Sequence, residues 1–71
     1  MIKTAKDLGI LIRQKRKEMG ISQADLAKIC NVGNRFIVEL EAGKPTVQFD
    51  KAIYVAANVG LELLIHKRGE A

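Results

Sequence analysis

Cysteine is nearly absent from this chain of 71 residues. The single Cys30 excludes an intrachain disulfide, and no cysteine–histidine spacing suits a structural zinc. No apolar run approaches the roughly 18 residues of a membrane span, and the opening Met1-Ile2-Lys3-Thr4 has none of the features of a secretory signal. A free thiol without an export signal fits a reducing cytoplasm, which is the expected location, with no membrane partner. Linkers, internal repeats and low-complexity tracts are missing too. One domain is expected, burying only about 60% of its unfolded surface. Packed helices, oligomerisation or both must supply the stability that disulfides and metals do not.

Catalytic groups are equally sparse. His66 is the lone histidine and has no catalytic or metal-ligating partner in view, so it reads as a solvent-facing or dimer-interface residue. Glu39 and Glu41 stand two apart on an expected helix and face different directions, which rules out an acid–base dyad. The glycines match no phosphate loop. Nothing points to an enzyme, a cofactor or a metal.

What is present is positive charge, unevenly spread. The formal net charge is +4 and the pI is about 9.5. Residues 1–35 hold eight Lys or Arg against three acids, giving +5, whereas residues 36–71 hold four against five, giving −1. Such asymmetry suggests one face turned toward a polyanion, or else an ordinary solvated helix face.

Helical punctuation is regular. Thr4 with Asp7 makes a capping-box start, and Leu8, Leu11, Ile12 and Met19 mark an apolar stripe that ends before Gly20. Ser22 with Asp25 repeats the signal, followed by Leu26, Ala27 and Cys30 at helical spacing. Cys30 on that apolar side reads as a small core residue. Asn31-Val32-Gly33 is a short turn. A third helix is expected from about Asn34 to Ala42, with Ile37 and Leu40 inward and Gly43 as its stop. After Lys44-Pro45, Thr46 is placed to cap a fourth helix that buries Phe49, Ile53 and Ala56 or Ala57 and stops at Gly60.

The tail differs in kind. In the run 61–67, Leu61, Leu63 and Ile65 alternate with Glu62 and His66 at period two, the pattern of a strand, although Leu64 spoils the alternation. A lone strand leaves its backbone groups unpaired. Pairing with the same strand of a second chain about a two-fold axis is the economical solution, with Met1–Lys3 as the weaker alternative. Residues 1–60 are therefore expected to form the folded domain and residues 61–71 a dimerisation strand and tail.

Two short helices joined by a three-residue turn must cross steeply, so the second can project into the major groove of DNA. An ordinary helical hairpin in a small bundle gives the same periodicity. The run Leu11-Ile12-Arg13-Gln14-Lys15-Arg16-Lys17-Glu18-Met19-Gly20-Ile21-Ser22-Gln23-Ala24-Asp25-Leu26-Ala27 resembles the opening of the Cro/cI-type, or Xre, helix-turn-helix family. Ile37-Val38-Glu39-Leu40-Glu41-Ala42-Gly43-Lys44 is similar to that family's third-helix end and loop, and the likeness covers about residues 8–60. The stretch from Arg35 to Thr46, with Gly60-Leu61-Glu62-Leu63, further resembles the HipB-like antitoxins of type II toxin–antitoxin operons.

The resemblance implies an all-α fold: a four-helix, lambda-repressor-like domain with the short C-terminal β-strand paired across a dimer. It implies a sequence-specific repressor on double-stranded DNA with a pseudo-palindromic operator. As a HipB-like antitoxin it would also neutralise a HipA-like kinase toxin. Alternative readings are a stand-alone phage Cro-like or restriction–modification controller regulator, and a protein-interaction module whose DNA face is silent.

Individual residues follow from the same likeness and from chemistry. Ser22 and Gln23 open helix two, where backbone N–H groups and the helix dipole favour a phosphate; Ser22 also serves as the cap. Gly33, Asn34, Arg35 and Val38 fall at the start and outer face of the recognition helix. Asn suits adenine and Arg suits guanine, although Arg35 could instead meet a phosphate. Phe36 departs from the small or polar residue often found at its position, and could touch a thymine methyl or pack inward. Glu39 falls at a family base-contact position, where a carboxylate could accept from cytosine N4 or orient Arg35; orientation is the preferred reading. Lys44 is a phosphate candidate, as more weakly are Arg13, Lys15 and Lys17. Arg16 and Glu41 match a partly buried ion pair of the family, tying helix one to the end of helix three. Leu61, Leu63 and Ile65 are the dimerisation candidates.

Overall fold

The computed structural model describes residues 2–65 and 67–69. Four helices follow one another: α1 (Ala5–Glu18), α2 (Gln23–Cys30), α3 (Asn34–Glu41) and α4 (Phe49–Asn58). α3 packs on both α1 and α2, and α4 packs on α2.

Side chains start the first two helices. Thr4 Oγ1 accepts from the Asp7 N–H at 3.1 Å, and the Asp7 carboxylate accepts from the Lys3 N–H at 2.9 Å. Ser22 and Asp25 form a complete capping box, with reciprocal bonds of 3.0 Å. All four helices end alike. Each is followed by a residue of positive φ (Gly20, Asn31, Gly43, Gly60), after which the next N–H reaches back five residues to a helix carbonyl. This satisfies carbonyls that the last turn would leave orphaned. Three of the residues that follow, Ile21, Val32 and Leu61, also pack against the core.

Ile12, Leu26, Ile37, Leu40 and Val55 are the large, fully buried side chains, one or more from each helix. Small residues set the closest approaches. A Cβ on Gly9 would overlap the carbonyl oxygen of Leu40 and lie 2.7 Å from that of Glu41, so α1 meets the end of α3 backbone to backbone. Gly43, with φ +83°, likewise sits where a Cβ would meet the Lys6 backbone at 2.6 Å.

Three expectations need correction. The N-cap position of α4 is Gln48, which makes no side-chain capping bond, and not Thr46, because residues 44–47 are taken up by a turn in which the Val47 N–H reaches the Lys44 carbonyl. Its inward stripe is Ala52, Val55, Ala56 and Val59, spaced i, i+3, i+4, i+7, which leaves Ile53 half-buried and Phe49 68% exposed. Phe49 and Ile53, the larger apolar side chains of the neighbouring stripe, instead line an apolar groove at the surface. Met19, expected to end the α1 stripe, is instead the exposed C-cap.

The C-terminal β-strand is also not seen. Among the described residues there is no strand, and residues 61–65 carry no regular secondary structure. A single chain offers that segment no edge to pair with, and residues 2–3 do not supply one. His66, part of the expected strand, lies outside the described residues, as does Met1. Leu61 turns inward against the core, while Leu63, Leu64 and Ile65 are exposed, Ile65 by 84%.

Candidate nucleic-acid interface

The turn 31–33 directs the site. Asn31 takes the left-handed conformation (φ 56°), Val32 anchors the turn against the core, and Gly33 in extended conformation is the N-cap of α3. Ile37, Leu40 and Glu41 then face inward, so helical geometry turns Arg35, Val38 and Ala42 outward. Gly33, Asn34, Arg35 and Val38 are all exposed, and the Arg35 side chain is 88% so. Gly33 has open space where a Cβ would stand. Phe36 is half-buried and packs against the core, the inward of the two roles open to it.

An open cleft lies beside this face, between the later part of α1, the start of α2 and the outer side of α3. Arg13, Ser22, Gln23, Val38 and Ala42 line it, with the Arg16–Glu41 pair at its base. The capping box consumes the Ser22 and Asp25 amides, while the amides of Gln23 and Ala24 have no protein acceptor among the described residues. Two free N–H groups at a helix N-terminus, with Arg13 across the cleft, form a surface suited to an anion.

Arg16 and Glu41 form a bidentate pair, Nε to Oε2 at 2.7 Å and Nη2 to Oε1 at 2.9 Å. Arg16 Nη1 also donates to the Ile21 carbonyl at 2.9 Å. The bond to Glu41 holds the guanidinium even more firmly protonated than usual. Gln23 is drawn into the same network, because its amide nitrogen donates to Glu41 Oε1 at 3.2 Å. Nothing local in the sequence signals that contact, which spans 18 positions.

Glu39 collects a second network. Its Oε2 accepts from Arg35 Nε at 3.3 Å and from Lys44 Nζ at 3.1 Å. Hydrogen bonding from Lys44 first, with Arg35 assisting, holds this carboxyl below the ordinary glutamate range. Lys15, also a candidate, pairs at 3.5 Å with Glu18 on the surface. Cys30 is buried, and burial pushes its thiol up. No cluster of His, Cys, Asp or Glu able to hold a metal exists among the described residues, and no described helix is long and apolar enough to cross a membrane.

Two comparisons bear on this geometry. The model of a family described as helix-turn-helix matches residues 12–63, which takes in α2, α3, α4 and the second half of α1. The chain is also 48% identical over 69 residues to the HTH-type transcriptional regulator y4mF of Sinorhizobium fredii, covering 97% of this chain and 91% of that protein.

Proposed function

We propose, from the premise that this chain belongs to the helix-turn-helix family, that it is a sequence-specific repressor acting on double-stranded DNA as a homodimer. DNA-binding regulation of transcription is the coarse function that the family and the relative named a transcriptional regulator support. The observation that carries the reading is the outward face of α3: Asn34, Arg35 and Val38 stand exposed beyond a turn that fixes α3 against α2. Asn34 and Arg35 read base edges. Ser22, Gln23 and Lys44 meet phosphates, helped by the free amides at the start of α2.

Dimerisation is assigned to the opposite end of the molecule. Ile2, Phe49 and Leu63 line an apolar groove over α4, and Leu64 and Ile65 are exposed nearby in sequence. A second copy supplies the edge that residues 61–67 lack, so the C-terminal strand forms only between chains, with residues 1–60 as the DNA-binding domain. Two-fold symmetry then sets the recognition helices about 34 Å apart, or a multiple of it, on a pseudo-palindromic operator.

The finer reading is a HipB-like antitoxin that represses its own operon in the cytoplasm and neutralises a HipA-like kinase. It is supported by the likeness of residues 35–46 and 60–63 to that group. Titration of the protein into DNA from its own promoter at two salt concentrations tests the repressor function. Expected is tight binding that weakens by about 0.9 log units per log unit of salt for each neutralised phosphate. A folded dimer that binds no specific DNA would instead favour an interaction module with a silent DNA face.

A further inference from the structure

A lone carboxylate on the outward half of α3 would be repelled by a phosphate backbone, yet Glu39 is there. Two cations converge on one of its oxygens: Arg35 Nε at 3.3 Å and Lys44 Nζ at 3.1 Å from Oε2. With two cations and one anion, the cluster carries a net charge of +1, so the repulsion is offset at its source. Arg35 commits only Nε to this contact. Its two terminal nitrogens, and Glu39 Oε1, have no protein partner among the described residues. Arg35 and Glu39 stand one helical turn apart on the same face, which sets a free donor fork beside a free acceptor oxygen.

One base pair complements that arrangement. In the major groove guanine offers two acceptors, O6 and N7, and its partner cytosine offers the N4 donor beside them. An A·T pair places adenine's N6 donor where the fork needs an acceptor, and thymine's O4 acceptor where the carboxylate needs a donor. We infer that Arg35 and Glu39 together read a single G·C pair, the Arg35 terminal nitrogens donating to guanine O6 and N7 and Glu39 Oε1 accepting from cytosine N4. Lys44 is the counter-ion that makes a carboxylate tolerable at this position. The inference rests on the repressor reading and adds to it the base pair and the residue that discriminates.

Selection from a randomised duplex library by the full chain tests it, using wild type and Glu39→Gln, followed by competition titrations at fixed salt. The wild type is expected to enrich a motif with an obligatory G·C pair. Changing that pair to A·T should lower affinity by about ten- to a hundredfold, whereas I·C, which keeps the same major-groove edge, should leave it unchanged. Glu39→Gln keeps the shape and removes the charge, and should cut the discrimination by about tenfold at that one position. If Glu39→Gln instead binds every sequence more tightly by a similar factor with the motif unchanged, Glu39 is only a repelling anion and the inference fails. A wild-type motif without the G·C pair also overturns it. If folded wild type enriches no sequence at all, the repressor reading falls, and the inference with it.

Discussion

Arg16 on α1 and Glu41 at the end of α3 join through two parallel hydrogen bonds of 2.7 and 2.9 Å, with side chains only 9% and 3% exposed. The pair ties the first helix to the last turn of α3, and its charges are fully partnered. No buried side-chain polar atom is left unsatisfied among the described residues. Removing one partner strands a buried charge, which costs about 3–5 kcal/mol, whereas replacing both with apolar side chains of similar volume is often neutral or better. Arg16→Met is therefore expected to lose most of the domain's stability in urea denaturation, and Arg16→Met with Glu41→Leu to regain most of it. An Arg16→Met protein that melts like wild type and loses only DNA affinity would contradict the structural role.

Gly9 sets two effects against each other. Alanine in a helix interior is favoured over glycine by about 1 kcal/mol. At this position, however, the added Cβ would overlap the Leu40 carbonyl, a backbone atom that cannot swing aside. Overpacking of this kind typically costs about 1–3 kcal/mol, so the clash is expected to win. Gly9→Ala should lower the melting temperature, and a rise would show that α1 and α3 are less closely apposed than described.

Cys30 sits among the buried residues of α2, with its thiol pushed up by burial. Its thiolate, the reactive form, is scarce and shielded. A disulfide reagent such as 5,5′-dithiobis(2-nitrobenzoate) should therefore react slowly in native buffer and fast in denaturant. Immediate reaction in native buffer would place the thiol at the surface.

Acid should undo the caps. The Lys3 N–H chiefly lowers the Asp7 carboxyl, and the Ser22 N–H chiefly lowers the Asp25 carboxyl, relative to ordinary aspartate. The folded state thus binds fewer protons than the unfolded state at low pH. The stability these caps contribute is present above the ordinary aspartate range and is lost as pH falls through the folded values, below about pH 4. Thermal melts across pH 2 to 7 should show that acid limb, and it should be shallower in Asp25→Asn. An unchanged limb in the variant would assign acid sensitivity to other groups.

How far the sequence could be read depended on whether the deciding physics was local. The capping pairs Thr4–Asp7 and Ser22–Asp25 span three residues, and the left-handed stops at Gly20, Gly43 and Gly60 follow from glycine at a helix end, so these were legible. The inward set Leu26, Ala27, Cys30, Ile37 and Leu40 was legible from periodicity. The phase of α4 was not, because two apolar stripes lie side by side there and only packing against α2 chooses between them. The tail carries a strand pattern but forms no strand among the described residues, because a single chain supplies no partner edge. In the candidate interface, the outward placement of Asn34, Arg35 and Val38 follows from helical spacing. The Gln23–Glu41 bond and the convergence of Arg35 and Lys44 on one oxygen of Glu39 required coordinates. Gly9 carried a usable signal, since a glycine inside a helix is costly enough to suggest close packing.

The outward face of α3 as the reader of DNA is tested most directly by affinity for the protein's own promoter DNA, compared among wild type, Asn34→Ala and Arg35→Ala at matched fold. Both side chains are exposed, so circular dichroism melts should be unchanged. Arg35→Ala is expected to weaken specific binding by about 1–3 kcal/mol and to relax preference at one base pair. Full specific affinity retained by both folded variants would contradict the assignment and move DNA recognition off α3.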